Sequence, residues 1–417
     1  MNLDPLPMPK EMKEMAAPTH NPQAVATAAA SAEAREQIHP CWVEVSLTAL
    51  RHNFRTVQSF VHPEAVVCAV VKSDAYGHGA QACALALQEE GARWFAVTTA
   101  DEGVALRQAG IRGRVLLLAG FWPGDEEAIV KCELSPAIWD WRQIELLESA
   151  AEKLKPPRRV SIHLKVNTGM NRLGVDISDL PQVYDALASA PHLLFEGIFS
   201  HFAASEVVDQ PLAEQQLERF QQAIALAQKS GLNPLLRHMA NSAAIAARPR
   251  SWFNMVRPGL ALYGSFLPFA SAVSAQADTS FELPVRPALS WKTRVLQVRD
   301  VPAGETVGYS SGYVTQSPTR VAVLPVGYGD GLSRRLSSRG RVIVRDDYAA
   351  IIGNVSMNLT TADVTGISGV EVGDEVTIIG ETASRKITAW EHASLASTIP
   401  YEILCNISGR LPRKYVE

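Results

Sequence analysis

From residue 64 to about 256 the chain repeats one theme: a short apolar, β-branched run, a polar loop, then a stretch with apolar positions every three or four residues. Short apolar runs read as strands buried on both faces, and the longer periodic stretches as amphipathic helices. The pattern predicts strands over residues 66–71, 94–97, 115–118, 134–138, 160–166, 193–199, 235–239 and 253–256. Between them it predicts helices such as 80–89, 100–108, 141–153, 212–228 and 242–247. Eight such units over roughly 220 residues have the size and rhythm of a closed (β/α)8 barrel, a TIM-like α/β fold. An open doubly wound sheet alternates in a similar way. The count of eight and the lack of a G-x-G-x-x-G opening favour the barrel.

Upstream, Cys41-Trp42-Val43-Glu44-Val45 alternates like a half-buried strand, and a helical pattern continues over 47–60. Past about residue 280 the character changes. Short β-branched segments at 290–298, 319–324, 341–344 and 376–379 are separated by turn signals such as Pro302-Ala303-Gly304, Asp330-Gly331 and Val372-Gly373-Asp374. That pattern predicts a mostly-β C-terminal domain. The expected organisation is a disordered tail over 1–40, a barrel over 41–282 and a β domain over 283–417. An Ala-, Ser- and Pro-rich linker is expected over 267–283, and the strand at 41–47 can pair with either domain.

Composition adds exclusions. With 417 residues, 47% hydrophobic and 20% charged, the chain is ordinary globular material for about two domains. A net charge of −4 gives no electrostatic reason to expect nucleic acid or an anionic membrane. No apolar stretch approaches the roughly 18 residues of a membrane span. The five cysteines have no CxxC pair, which fits a reducing cytosol better than a disulfide framework or a zinc site. The N-terminal region lacks the basic start and strong apolar core of a signal peptide. The expected location is cytoplasmic.

The first barrel strand ends in a single lysine, Lys72, and then comes Ser73-Asp74-Ala75-Tyr76-Gly77-His78-Gly79. Taken singly, such a lysine closes a strand and points to solvent. Held with little water and near other cations, it would have the lowered pKa that a Schiff-base lysine requires. Loops after barrel strands open on one face, where active sites are built. The fifth strand carries Lys165 and runs on to Asn171 and Arg172. The sixth ends at Ser200-His201, the seventh at Ala240-Asn241-Ser242, and the eighth at Arg257-Pro258-Gly259-Leu260. Singly, His201 reads as a structural histidine, Ser242 as a helix cap and Arg257 as an ion-pair partner. Together with Lys72 and Tyr76 they form a cationic rim with glycine backbone and a helix N-terminus. That inventory suits a phosphate-bearing aldehyde held on a lysine, and pyridoxal 5'-phosphate has both groups.

The motifs are specific enough for a family resemblance. A-V-V-K-S-D-A-Y-G-H-G at 69–79, K-V-N-T-G-M-N-R-L-G at 165–174, S-H-F-A at 200–203, A-N-S-A at 240–243 and M-V-R-P-G-L-A-L-Y-G at 255–264 succeed one another in the barrel. The β domain adds G-E-T-V-G-Y at 304–309, P-V-G-Y-G-D-G at 325–331 and V-S-M-N at 355–358. In order and spacing the chain resembles bacterial alanine racemases, pyridoxal-phosphate enzymes of fold type III, from Trp42 to Pro412.

The resemblance implies that Lys72 holds the cofactor and is the base on one face of the substrate Cα. Tyr309, from the partner subunit of a head-to-tail homodimer, would be the base on the other face. Inverting a stereocentre needs a proton removed from one side and returned to the other. His201 would stand between that tyrosine and Arg257, which would face the pyridine nitrogen. An arginine there stays charged, disfavours protonation of that nitrogen and so favours racemisation over transamination and decarboxylation. Tyr76, Asn241, Ser242, Gly259 and Leu260 would surround the cofactor and its phosphate. Arg172 would bond the cofactor's phenolic oxygen and face the substrate; in many family members the lysine matching Lys165 is carbamylated to support that arginine. Met357 and Tyr328 would meet the substrate carboxylate. The implied product, D-alanine, serves cell-wall peptidoglycan.

Decarboxylases of the same cofactor fold carry a carboxylate where this chain has Arg257. Non-catalytic cofactor carriers resemble the barrel but lack the β segment that holds Tyr309. The chain departs from the family at Asn167, Asn171 and Asn358. Gly409 stands where many members have a phosphate-binding tyrosine. These changes leave substrate breadth beyond alanine open, serine included.

Overall fold

The apolar runs pair edge to edge in chain order and close on themselves. The computed structural model describes residues 40–154, 158–266, 268–271, 281 and 283–417. Strand β1 (Cys41–Ser46) precedes the barrel. The barrel consists of β2 (Val66–Val70), β3 (Trp94–Val97), β4 (Arg114–Leu117), β5 (Leu134–Ile138), β6 (Val160–Lys165), β7 (Leu193–Phe199), β8 (Leu236–His238) and β9 (Met255–Val256). β9 returns to β2 in parallel, with Met255 opposite Val66 and Val256 opposite Val67. Near-continuous apolar strands such as Val66–Val70 form here because helices cover the outside while side chains such as Phe95, Leu116, Ile162 and Leu164 fill buried positions. The last strand is shorter than the pattern predicts, since Phe253 takes a positive φ of 48° and cannot extend it.

The C-terminal domain is a twisted sheet of β10 (Leu289–Arg294), β11 (Gln297–Val301), β12 (Thr319–Leu324), β13 (Arg341–Val344), β14 (Asp347–Ile351), β15 (Thr360–Asp363), β16 (Glu375–Glu381), β17 (Lys386–Ile387) and β18 (Arg413–Val416). The expected single strand over 290–298 is two strands. Val295 N–H bonds Asp374 O at 2.9 Å and Leu296 N–H bonds Val323 O at 2.8 Å, so this apolar pair is a corner between strands. β1 pairs antiparallel with β10 and parallel with β18, which stitches the segment before the barrel into the C-terminal sheet.

The two layers meet at the barrel mouth. The Arg413 guanidinium donates to Gly77 O at 3.1 and 3.2 Å, tying the C-terminal segment to the loop after β2. No helix among the described residues is long and apolar enough to cross a membrane. The expected tail over 1–40, apart from its last residue, and most of the expected linker over 267–283 lie outside the described residues.

Candidate active site

Lys72 comes just after β2 and opens a turn of unusual hand. Ser73, Asp74, Ala75 and Tyr76 have φ of 52°, 53°, 53° and 55°, a left-handed helical turn. That region disfavours L-residues by about 1–2 kcal/mol each, so four in succession need external support. Glu102 supplies some of it: Oε1 accepts Ser73 N–H at 2.6 Å, and Oε2 accepts Thr98 N–H at 2.6 Å. Asp74 Oδ1 accepts Ala80 N–H at 2.7 Å. His78 belongs to the scaffold rather than the rim. It is fully buried, its ring lies 4.5 Å from that of Tyr263, and burial draws its pKa down to about 4.

The turn folds Tyr76 back into the barrel mouth, 4.9 Å from the Tyr263 ring and 5.8 Å from Tyr401. Its hydroxyl packs against Gly259, where a Cβ would lie only 2.3 Å from the oxygen. Ser242 Oγ accepts N–H groups from Gly259 at 2.9 Å and Ala261 at 3.2 Å, so its own proton is available to a ligand. The residue that caps helix Ser242–Ala247 is Asn241, whose Oδ1 accepts Ala244 N–H at 3.0 Å. The expected Ser242 cap is thus displaced by one residue, because Ser242 is turned to the 259–261 backbone. Two hydroxyls, a backbone without side chain at Gly259, the buried Leu260 and a first helical turn whose N–H groups lack helical partners form a cup suited to phosphate.

Arg257 is almost fully buried. Nη1 contacts His238 Nδ1 at 2.6 Å, while Nη2 donates to Ser200 O at 2.8 Å and Met239 O at 3.2 Å and lies 3.3 Å from His201 Nδ1. The guanidinium lies 5.2 Å from the Phe199 ring centre, and burial lowers its pKa to about 10, leaving it cationic at neutral pH. Lys165 donates to Leu118 O at 3.2 Å and lies 5.3 Å from the same ring. Burial first, then the charges of Arg257, Arg172 and Lys72, bring Lys165 down to about 7. Lys72 is lowered by burial and next by Arg172. His201 is held well below its ordinary range by burial and by Arg257, Arg172, Lys165 and Lys72. The fold thus brings together Lys72, Lys165, Arg172, His201 and Arg257.

Tyr309, in the β domain, is 72% exposed. Asn354 Nδ2 donates to Tyr309 O at 2.8 Å, Tyr328 N–H bonds Ser356 O at 3.0 Å, and Gly329 N–H bonds Met357 O at 2.8 Å. Residues 354–357 therefore gather Tyr309, Tyr328 and Met357, all exposed, onto one part of the β domain. Gly409 faces open space, with nothing within 4 Å of where its Cβ would be.

The family model for the alanine racemase N-terminal domain matches residues 45–266, and that for the alanine racemase C-terminal domain matches residues 288–415. The chain belongs to the alanine racemase family. It is an isomerase, and its reaction is the racemisation of alanine. It is 40% identical over 385 residues to alanine racemase 2 of Caldanaerobacter subterraneus subsp. tengcongensis, covering 91% of this chain and 96% of the relative. The crystal structure of alanine racemase from D-cycloserine-producing Streptomyces lavendulae aligns with a TM-score of 0.84 at 35% identity, covering 91% of this chain and 97% of that one. A Bartonella henselae alanine racemase with covalently bound pyridoxal phosphate aligns with a TM-score of 0.79 at 29% identity over 90% and 99% of the two chains.

Sequence reasoning missed several contributors. Glu102 stands at the T-x-x-E spacing of a capping box with Thr99, but its bond to Ser73 N–H depends on a backbone turn whose hand no pattern reveals. His238 carried a signal, a histidine at the end of a barrel strand, but its contact with Arg257 spans two strands.

Proposed function

We propose that the chain racemises alanine with pyridoxal 5'-phosphate held on Lys72, and that Lys72 and Tyr309 of the partner subunit are opposed bases in a head-to-tail homodimer. The observation that carries the reading is the pairing of a phosphate cup at Tyr76, Ser242 and Gly259 with a desolvated Lys72 beside a buried, cationic Arg257. The exposure of Tyr309 supports its use by a second copy. We also read the enzyme as cytoplasmic, with its D-alanine supplied to peptidoglycan.

Bound pyridoxal phosphate supplies a conjugated, electron-withdrawing ring that stabilises negative charge at Cα. Lys72 Nζ, kept neutral more readily by burial and by Arg172, removes or returns the Cα proton on its face. The Tyr309 hydroxyl does so on the other face. Arg257 would face the ring nitrogen and, as a fixed cation, oppose protonation there, which favours return of the proton to Cα. His201 joins Arg257 to the tyrosine side. Tyr76, Asn241, Ser242, Gly259 and Leu260 would hold the phosphate end, Arg172 the phenolic oxygen, and Met357 and Tyr328 the substrate carboxylate. Purified with the cofactor, the protein should be yellow and convert either alanine enantiomer to a mixture; a colourless protein that leaves both unchanged would sink the reading.

The cup and the lysine pair each give an expected outcome. Gly259→Ala drives a methyl group into the Tyr76 hydroxyl, and overpacking of about 1–3 kcal/mol weakens cofactor binding about tenfold or more. Equilibrium dialysis of the cofactor reads this directly. Lys165 is a carbamylation site in this reading: its neutral amine attacks the carbon of CO2, a C–N bond forms and a proton leaves to solvent. Because its pKa is about 7, the reactive neutral form grows as pH rises through that value. Carbon-13 NMR in labelled bicarbonate should show a carbamate at pH 8 that fades below pH 6 and is missing in Lys165→Met.

A further inference from the structure

Behind Arg257 the barrel interior holds a polar column that the racemisation scheme does not use. Arg257 Nη1 meets His238 Nδ1 at 2.6 Å, and His238 Nε2 meets His163 Nδ1 at 2.8 Å. His163 Nε2 faces Glu196 Oε2 at 3.7 Å, and Glu196 Oε1 accepts from Arg114 Nη2 at 2.7 Å. Arg257 comes after the last strand at the mouth, while Arg114 is the first residue of β4, at the opposite end. The column therefore runs along the barrel from mouth to floor. His163 and His238 are fully buried, and Glu196 is 6% exposed.

The local backbone is shaped around these groups. The β6–β7 register shifts between Ile162 and His163, which pair with Phe195 and Gly197, so Glu196 is the extra residue of a bulge. Bulges re-aim a side chain. At Gly197 a Cβ would lie 2.3 Å from His163 Nδ1, so glycine leaves the space the imidazole occupies. Phe199 lies flat on His238, 4.8 Å away with planes 3° apart, and Trp94 meets His163 edge-on at 5.4 Å. Barrel interiors are ordinarily filled by branched apolar side chains, and an apolar replacement of a buried ionic group is often neutral or stabilising. Stability alone gives little reason for the column.

From Arg257 to His163 its hydrogen bonds have one direction, while the 3.7 Å contact of His163 with Glu196 is longer than a hydrogen bond. A guanidinium only donates, so His238 Nδ1 accepts and its proton is on Nε2. That proton points to His163 Nδ1, which leaves the His163 proton on Nε2, facing Glu196. Burial first, and the nearby Arg257 charge, hold both imidazoles below their ordinary range in the neutral form this order requires. Burial raises the Glu196 pKa, but the His163 and Arg114 contacts outweigh it and keep the carboxylate ionised.

We propose that His163 and Glu196 are positioning residues for the racemase: through His238 they fix the orientation of the Arg257 guanidinium toward the cofactor's ring nitrogen. The inference rests on the proposed cofactor binding. Its test is nitrogen-15 NMR of the enzyme loaded with pyridoxal phosphate labelled at the ring nitrogen, together with the cofactor dissociation constant. His163→Leu should shift the ring-nitrogen resonance and raise the dissociation constant about tenfold, the equivalent of one lost hydrogen bond. His163→Asn puts an amide acceptor near the Nδ1 position and should restore both. Glu196→Gln keeps an acceptor but removes the floor charge, and should shift the resonance in the same sense by less. If Glu196→Gln leaves the resonance at the unaltered enzyme's position, the proposal is overturned, even where His163→Leu fails to fold. So too if His163→Leu folds, loses thermal stability and keeps both resonance and affinity. Failure of the unaltered protein to bind the labelled cofactor would overturn both this proposal and the reading beneath it.

Discussion

Replacing Lys72 with alanine should abolish colour and turnover together. Lys72 has two tasks in this account, covalent attachment of the cofactor and proton transfer at Cα, and no neighbour can take over both. Lys165 is the nearest alternative amine in chemical terms, with a pKa of about 7, but it is directed to Leu118 O and the Phe199 ring. Arg172 and Arg257 are poor nucleophiles, since a guanidinium remains protonated. Removing a positioned acid–base group typically costs about 10²–10⁴ in rate, and the loss of attachment adds to it. Absorbance of the purified variant and its alanine racemisation rate check the two losses separately. Lys72→Ala also removes one cation from the rim, so it should not unfold the protein; an intact thermal transition distinguishes a chemical loss from a structural one.

Tyr309→Phe has the second largest expected effect, and its signature is asymmetric. The substitution removes one hydroxyl from an exposed side chain, so the fold should be untouched. Racemisation should fall about 10²–10⁴-fold in both directions, because each direction needs both bases. Exchange of the Cα proton with solvent should differ. The enantiomer that presents its proton to Lys72 should still exchange deuterium without inverting, and the other should be nearly inert. Equal loss of exchange from both enantiomers, or full activity, would require another assignment of the second base.

How far the sequence could be read depended on what each feature rests on. The barrel was legible because strands buried on both faces leave uninterrupted apolar runs, and Trp94–Val97, Leu134–Ile138 and Leu193–Phe199 stand where the pattern puts them. The same signal misled at Val295-Leu296, where apolar character marks a corner rather than a strand. The pairing of β1 with β10 was hidden, since alternation reveals a half-buried strand but not its partner. At the site, the residues at and just beyond each strand end were enough to collect Lys72, Lys165, Arg172, His201, Ser242 and Arg257. Three things lay beyond that method. The left-handed turn at 73–76 has no sequence signature apart from the glycines that follow it at 77 and 79, the bulge that aims Glu196 inward depends on register, and Tyr309 lies in the β domain, far along the chain from the rim residues. Only the family resemblance linked it to Lys72.

The central claim is that each active site takes Lys72 from one chain and Tyr309 from another. Mixing inactive Lys72→Ala protein with inactive Tyr309→Phe protein, under conditions that exchange subunits, tests it directly. In a mixed dimer one site would lack both bases and the other would lack neither, so random exchange at equal amounts should regenerate about a quarter of the normal sites. Racemase activity rising to about that level, from two inactive proteins, is the predicted result. A mixture that exchanges subunits and stays inactive would mean that both residues come from one chain, and would contradict the account.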